Sequence, residues 1–204
     1  MRIIAGTHRR RPILGPPDEK VTRPITDRVK EALFSRLVQA RALPFVEDDP
    51  DDQPGPIHAL DVFCGTGSLG LEALSRGADH CTFVDRDRKA RQLLERNLSD
   101  LDLSKRATVQ GVDVLAFNPP GVWVKSLKHT PVRLIMLDPP YAAARDAGSM
   151  KRLVALAEAL CEVTCDGAVL MLRTETEVPA PPIEGWAGPD TREYGAMAIH
   201  LYYR

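Results

Sequence analysis

The sequence predicts an α/β protein built on a mostly parallel seven-stranded sheet with an antiparallel C-terminal edge, preceded by a hairpin-and-helix extension. Three observations predict it. From Ala59 to Leu172 short apolar runs alternate with stretches of helical periodicity, the pattern of a parallel sheet covered on both faces. A glycine-rich turn, Gly65-Thr66-Gly67-Ser68-Leu69-Gly70, follows the first of these runs and opens the first of these helices. At the C-terminus, Thr191 to Tyr194 and Ala196 to Tyr203 are separated only by Gly195, which suits a hairpin and not a crossover.

Taken in order, Arg2-Ile3-Ile4-Ala5 and Arg11-Pro12-Ile13-Leu14 flank a turn at Gly6 and a basic run, the spacing of a small hairpin. Thr26 is a good N-cap, Asp27 suits a first helical turn, and Val29, Leu33 and Leu37 share a helical face, so a helix is expected over 27–41. Pro44 to Pro56 contains Glu47-Asp48-Asp49-Pro50-Asp51-Asp52 and too little apolar material to pack, which predicts an acidic loop. Strands are expected at 59–63, 81–85, 108–110, 132–137 and 168–172, with helices at 68–76, 87–101 and 150–161. The chain therefore divides into an extension (1–43), a loop (44–56) and a main domain (57–204).

Composition limits what such a protein can be. The 204 residues, 44% apolar and 27% charged, suffice for one ordinary core and exclude wholesale disorder. Only Ile3 to Ala5 precede the run His8-Arg9-Arg10-Arg11, and no stretch of 18 apolar residues occurs, so a cytoplasmic protein away from membranes is expected. Four cysteines without a secretory leader suggest reduced thiols. Cys161 and Cys165 lack a third partner at Ala168, so no metal is expected. Charge is unevenly spread: residues 1–41 hold ten Lys/Arg against four Asp/Glu, a balance of +6, which leaves –7 on the rest. A basic arm on an acidic body suits contact with nucleic-acid phosphates, with Arg9, Arg10, Arg11, Arg23 and Arg28 as candidates.

Two sites carry chemistry. Gly65, Gly67 and Gly70 let a ligand approach backbone N–H groups, and Asp85, 18 residues after Gly67, can accept the hydroxyls of an adenosine ribose. NAD and S-adenosylmethionine share that geometry. Asp61 separates them, because a carboxylate four residues before Gly65 would repel a pyrophosphate but suits an ammonium group. The second site is Asp138-Pro139-Pro140-Tyr141, delivered by the apolar run Leu134 to Leu137. An acid, a carbonyl fixed by two prolines and an aromatic face are the parts that grip a planar exocyclic amine and stack on its ring. An NAD-dependent oxidoreductase would explain neither this box nor the basic arm. Asp113, after the third strand, can accept from an adenine amine or cap a turn.

In order and spacing, Asp61 to Gly70, Asp85, Asp113 and Asp138 to Tyr141 resemble the motifs of class I methyltransferases that modify exocyclic or amide nitrogens. With Arg2-Ile3-Ile4-Ala5-Gly6 and Thr22 to Phe34, the chain is similar to the RsmD family of bacterial methyltransferases. That resemblance implies a Rossmann-like class I fold, S-adenosylmethionine as cofactor, and the exocyclic N2 amine of a guanine in 16S ribosomal RNA as methyl acceptor. A monomer acting on the 30S subunit or an assembly intermediate is expected. The segment Glu47 to Asp52 is longer than the family's usual link, and Tyr141 stands where many members carry phenylalanine. The box also resembles that of adenine-N6 methyltransferases. Adenine-N6 methylation, or a ribosome-assembly module whose catalysis is secondary, are the alternative readings.

Overall fold

A computed structural model describes residues 1–16, 25–43 and 55–204. Seven strands, β1 (His58–Val62), β2 (His80–Val84), β3 (Ala107–Gln110), β4 (Val132–Leu137), β5 (Thr164–Glu175), β6 (Ala187–Tyr194) and β7 (Met197–Tyr203), form one sheet in the order β3-β2-β1-β4-β5-β7-β6. The pairs from β3 to β5 are parallel, and β7 is antiparallel to both β5 and β6. The helices are α1 (Asp27–Gln39), α2 (Ser68–Ser75), α3 (Arg88–Asp100), α4 (Gly121–Val124), α5 (Tyr141–Arg145) and α6 (Ala147–Leu160). Among the described residues no helix is long and apolar enough to cross a membrane.

Strand pleating explains why the central runs are apolar on both faces. Ala59, Phe83, Leu134, Met136 and Met171 point into one cluster with Leu33, Phe34 and Leu37 of α1, Leu71 of α2 and Leu94 of α3. Their neighbours Leu60, Val62, Val84, Ile135, Leu137 and Leu170 point into the opposite cluster with Trp123 of α4 and Leu156 and Leu160 of α6.

Among the described residues the N-terminal extension has no core of its own, since Ile3, Ile13 and Ile25 belong to the first cluster. A buried polar network fastens it. Glu72 of α2, fully buried, accepts from the backbone N–H groups of Ile4 (2.8 Å) and Ala5 (3.0 Å) and from Arg76 Nε (2.8 Å). Lys30 of α1, 1% exposed, donates to the Arg2 carbonyl at 2.7 Å and lies 3.5 Å from Glu72 Oε2.

Several elements differ from expectation. The N-terminal pairing is reduced to one bridge, Arg2 with Pro12, because the amides of Ile4 and Ala5 that would continue a ladder go to Glu72 instead. β5 runs well beyond 168–172, since β7 supplies hydrogen bonds as far as Glu175 after β4 has ended at Leu137. α6 starts at Ala147, where Asp146 caps it by accepting from Ser149 N at 2.7 Å. The short helix α5, directly after the prolines, was not expected. Of the predicted acidic loop, residues 44–54 lie outside the described residues.

Candidate active site

Strand register gathers the acids at one edge. Val62 pairs with both Val84 and Leu137, and Val84 pairs with Gln110, so the segments after β1, β2, β3 and β4 all leave the sheet at its carboxyl edge. Asp85, Asp113 and Asp138 follow these strand ends, and Asp61 is the penultimate residue of β1. β1 is also where the chain reverses, with β2 and β3 to one side and β4 to the other, which opens the crevice in which such sheets bind ligands.

The turn after β1 is tightly constrained. Phe63 holds a left-handed φ of 63° although it is not glycine, a strained conformation costing roughly 1 kcal/mol or more, and its N–H donates to the Val84 carbonyl at 2.8 Å. Gly65, at φ 55°, would project a side chain into open space, and its N–H donates to Asp85 Oδ2 at 2.8 Å. Gly67, at φ 87°, has a different reason to be glycine, because a β-carbon there would collide with Leu94 of α3.

Asp61 is buried, and its Oδ2 accepts from Gly70 N at 2.8 Å while Oδ1 has no hydrogen-bond partner among the described residues. Burial, reinforced by the charges of Asp138 and Asp85, pushes its pKa up to about 8 against the pull of the Gly70 amide. Each Asp85 oxygen accepts one backbone N–H, from Gly65 and from Asp87, and keeps a further lone pair. Asp113 caps the short turn that follows it by accepting from Leu115 N at 3.2 Å, and it pairs with Arg86 at 3.0 Å. Between Asp113 and Pro140 lies a cavity of about 400 Å³ lined also by Phe63, Arg86, Leu115 and Arg152.

Asp138 leaves β4 with its N–H on the Val62 carbonyl at 3.2 Å, beside the glycine-rich turn. Pro139 is buried, Pro140 is exposed, and Tyr141 begins α5 half-buried. Burial raises the Asp138 pKa, and Arg173 of β5, with Nε 2.5 Å from Oδ1, opposes that rise. The same guanidinium lies 5.7 Å from the Tyr141 ring centroid. Sequence reasoning missed Arg173. The available signal was a lone cation directly after the buried run Ala168 to Leu172.

Of the five candidate phosphate contacts, Arg9, Arg10 and Arg11 do not lie at this crevice. Arg9, Arg10 and Arg11 are exposed, but Arg11 donates to the Asp100 carbonyl and Thr7 N to the Ser75 carbonyl, at the C-terminal ends of α3 and α2. Both helices start at the carboxyl edge and run back, so these arginines lie toward the opposite edge of the sheet. Arg28 is exposed in the first turn of α1; Lys30, two residues on, reaches Ser68 at the start of α2. Arg23 lies outside the described residues.

This strand order, with a glycine-rich turn after the central strand and an acidic carboxyl edge, defines a class I methyltransferase fold. Residues 1–203 match the family model described as conserved hypothetical protein 95, and the chain belongs to that family, the RsmD family of methyltransferases. It is similar to ribosomal RNA small subunit methyltransferase D of Escherichia coli strain K12, with 32% identity over 205 residues covering 100% of this chain and 90% of that protein. The Haemophilus influenzae protein of the same name is 31% identical, over 99% of this chain and 93% of its own. Among solved structures, yhhF from Escherichia coli superposes with a TM-score of 0.75 at 29% identity, covering 100% of this chain and 97% of that one.

Proposed function

We propose that this protein transfers a methyl group from S-adenosylmethionine to the exocyclic N2 amine of a guanine in 16S ribosomal RNA. The observation that carries the reading is the meeting of two sites at one sheet edge: the Asp138 N–H bonds to the Val62 carbonyl, which places the Asp-Pro-Pro-Tyr segment against the glycine-rich turn. The relatives named as ribosomal RNA small subunit methyltransferase D support the RNA substrate.

The residues present fit the cofactor. Asp61 Oδ1 is a buried acceptor without a partner among the described residues, which an ammonium group would satisfy. Gly65 leaves room for close approach, Gly67 shapes the turn, Asp85 has lone pairs for ribose hydroxyls, and Asp113 stands at the cavity wall for the adenine amine. S-adenosylmethionine, when bound, supplies an electrophilic methyl on a sulfonium.

The amine of guanine is a weak nucleophile because its lone pair is delocalised into the ring. Asp138 and the Pro139 carbonyl accept its two N–H bonds, which favours a pyramidal nitrogen and concentrates electron density as attack proceeds. Asp138 need not be a strong base, since proton loss can follow transfer. Tyr141 stacks on the base after it leaves its helix, while Pro140 fixes the turn between them. Arg9, Arg10, Arg11, Arg23 and Arg28 contact RNA phosphates, with Arg9, Arg10 and Arg11 at a distance from the reacting atoms. Nucleoside mass spectrometry of ribosomal RNA from cells with and without the protein tests the reading. Loss of N2-methylguanosine is expected; loss of N6-methyladenosine, or no change, would overturn it.

A further inference from the structure

We infer that Arg173 is a positioning residue of the methyl-acceptor pocket, holding Asp138 and Tyr141 in the arrangement that receives the amine. This rests on the function proposed above. In β4 and β5, Leu137 pairs with Leu172, so Asp138 and Arg173 are the next residues along two parallel neighbours. From there the strands behave differently. β4 ends, whereas β5 continues to Glu175, held by β7 through the pairs Arg173 with Ile199, Thr174 with Ala198 and Glu175 with Met197. The Asp-Pro-Pro-Tyr segment thus leaves the sheet against the side of a strand that is still hydrogen-bonded.

That strand holds the segment at two points. Arg173, 5% exposed, places Nε 2.5 Å from Asp138 Oδ1 and its guanidinium carbon 5.7 Å from the Tyr141 ring centroid, so one side chain touches both proposed base contacts. Two residues further on, Glu175 pairs with Arg145 at the end of α5, with 2.5 Å between Arg145 Nε and Glu175 Oε2. The first contact is buried and the second is on the surface, with Arg145 63% exposed at its side chain. Only the buried one can govern the electrostatics of the pocket.

The chemistry needs Asp138 ionised, because a protonated carboxyl would present a donor to an amine that itself offers donors. Burial works against ionisation, and Arg173 is the cation that opposes it. Asp61 in β1 and Asp85 after β2 are acids and bring Asp138 no counter-charge. Without Arg173, the carboxyl protonates more readily and Tyr141 loses the cation over its ring.

The test uses full-length protein with Arg173→Gln and Arg173→Lys. Three readouts are compared: S-adenosylmethionine affinity by calorimetry, methyl transfer to 16S RNA from pH 6 to 9, and titration of the Asp138 carboxyl carbon by NMR in protein labelled at aspartate. Arg173→Gln is expected to bind the cofactor within about twofold of wild type and to lose about 100-fold in kcat at pH 7. Its rate should climb more steeply with pH than that of wild type, by up to about tenfold per pH unit as Asp138 ionises. Arg173→Lys should recover part of the rate and most of the wild-type profile. A pH-independent loss in Arg173→Gln, with Asp138 titrating as in wild type, would make Arg173 a structural residue and overturn the inference. Should Arg173→Gln not fold, Arg173→Met, which also removes the charge, takes its place, and an Arg173→Met protein that folds with wild-type rate and Asp138 titration would overturn it equally. Inactive wild type on 16S RNA would instead sink the proposed function, and the NMR titration would still decide whether Arg173 keeps Asp138 ionised.

Discussion

Replacing Glu72 by Gln tests what holds the N-terminal extension to the body. Glu72 is fully buried and Lys30 is 1% exposed, so the substitution leaves an ammonium inside the protein without its counter-charge. Breaking a buried pair in this way typically costs about 3–5 kcal/mol. The structure supplies an upper limit. Burial already pulls the Lys30 pKa down from 10.5 and Glu72 pulls it back up, so once Glu72 is neutral the lysine can shed its proton. At pH 7 the cost of keeping it charged therefore cannot exceed about 3.5 pH units at about 1.4 kcal/mol each, or roughly 5 kcal/mol. A glutamine oxygen can still accept from one of the Ile4 and Ala5 amides; the other adds roughly 1 kcal/mol unless water reaches it. Against a total stability of about 5–15 kcal/mol the variant would be near marginal.

Urea denaturation at several pH values measures this. Lys30 in the variant has a lowered folded pKa, so the unfolded chain binds the extra proton, stability rises with pH, and the deficit at pH 7 should shrink toward pH 10. Lys30→Met in the same chain should recover at least about 2 kcal/mol, because it removes the buried charge. Limited proteolysis should cut within residues 1–13 of the single variant before the body unfolds. A deficit under about 0.5 kcal/mol, independent of pH and of Lys30→Met, would show that the network does not hold the extension.

Other expectations concern the site. With an Asp61 pKa of about 8, cofactor binding at pH 7 should expel about 0.9 proton, visible as a buffer-dependent binding enthalpy that is lost in Asp61→Asn. Because that pKa is raised above the ordinary 3.8, Asp61 favours the fold most below pH 4 and loses this contribution as pH rises toward 8; the thermal midpoint of Asp61→Asn should therefore gain on wild type between pH 5 and pH 8. Asp138→Ala should abolish methyl transfer with cofactor affinity nearly intact, whereas Asp85→Ala should weaken cofactor binding by about 1.5–3 kcal/mol; equal affinity in wild type and Asp85→Ala would contradict its role. An Arg9/Arg10/Arg11→Ala variant should reduce the magnitude of the salt slope for ribosomal RNA binding by about 2–3 while leaving cofactor affinity unchanged. An unchanged slope would move the RNA surface to another face.

What the sequence determined by itself was local. Apolar runs buried on both faces announce parallel strands, as at Val132 to Leu137, where expected and observed limits coincide. Glycines at 65 and 67 mark the turn, because few other residues tolerate its left-handed φ, and the order of Asp61, Asp85 and Asp138 along the chain signals one binding edge. Tertiary structure decided whatever depends on which segments meet. Arg173 and Asp138 are 35 residues apart and no local pattern links them; they touch because β4 and β5 pair in a register that makes Leu137 and Leu172 partners. Glu72 looks like an ordinary polar residue on a short helix, yet it is buried because the N-terminal segment folds over it and needs an acceptor for two amides. The arginines at 9, 10 and 11 read as phosphate contacts, and their position came from tertiary structure: the chain turns back beside the far ends of α2 and α3 and carries them away from Asp138. Periodicity records how each residue relates to its neighbours within a turn or a pleat, whereas charge pairing and distance across the sheet are set only when long-range packing fixes the register.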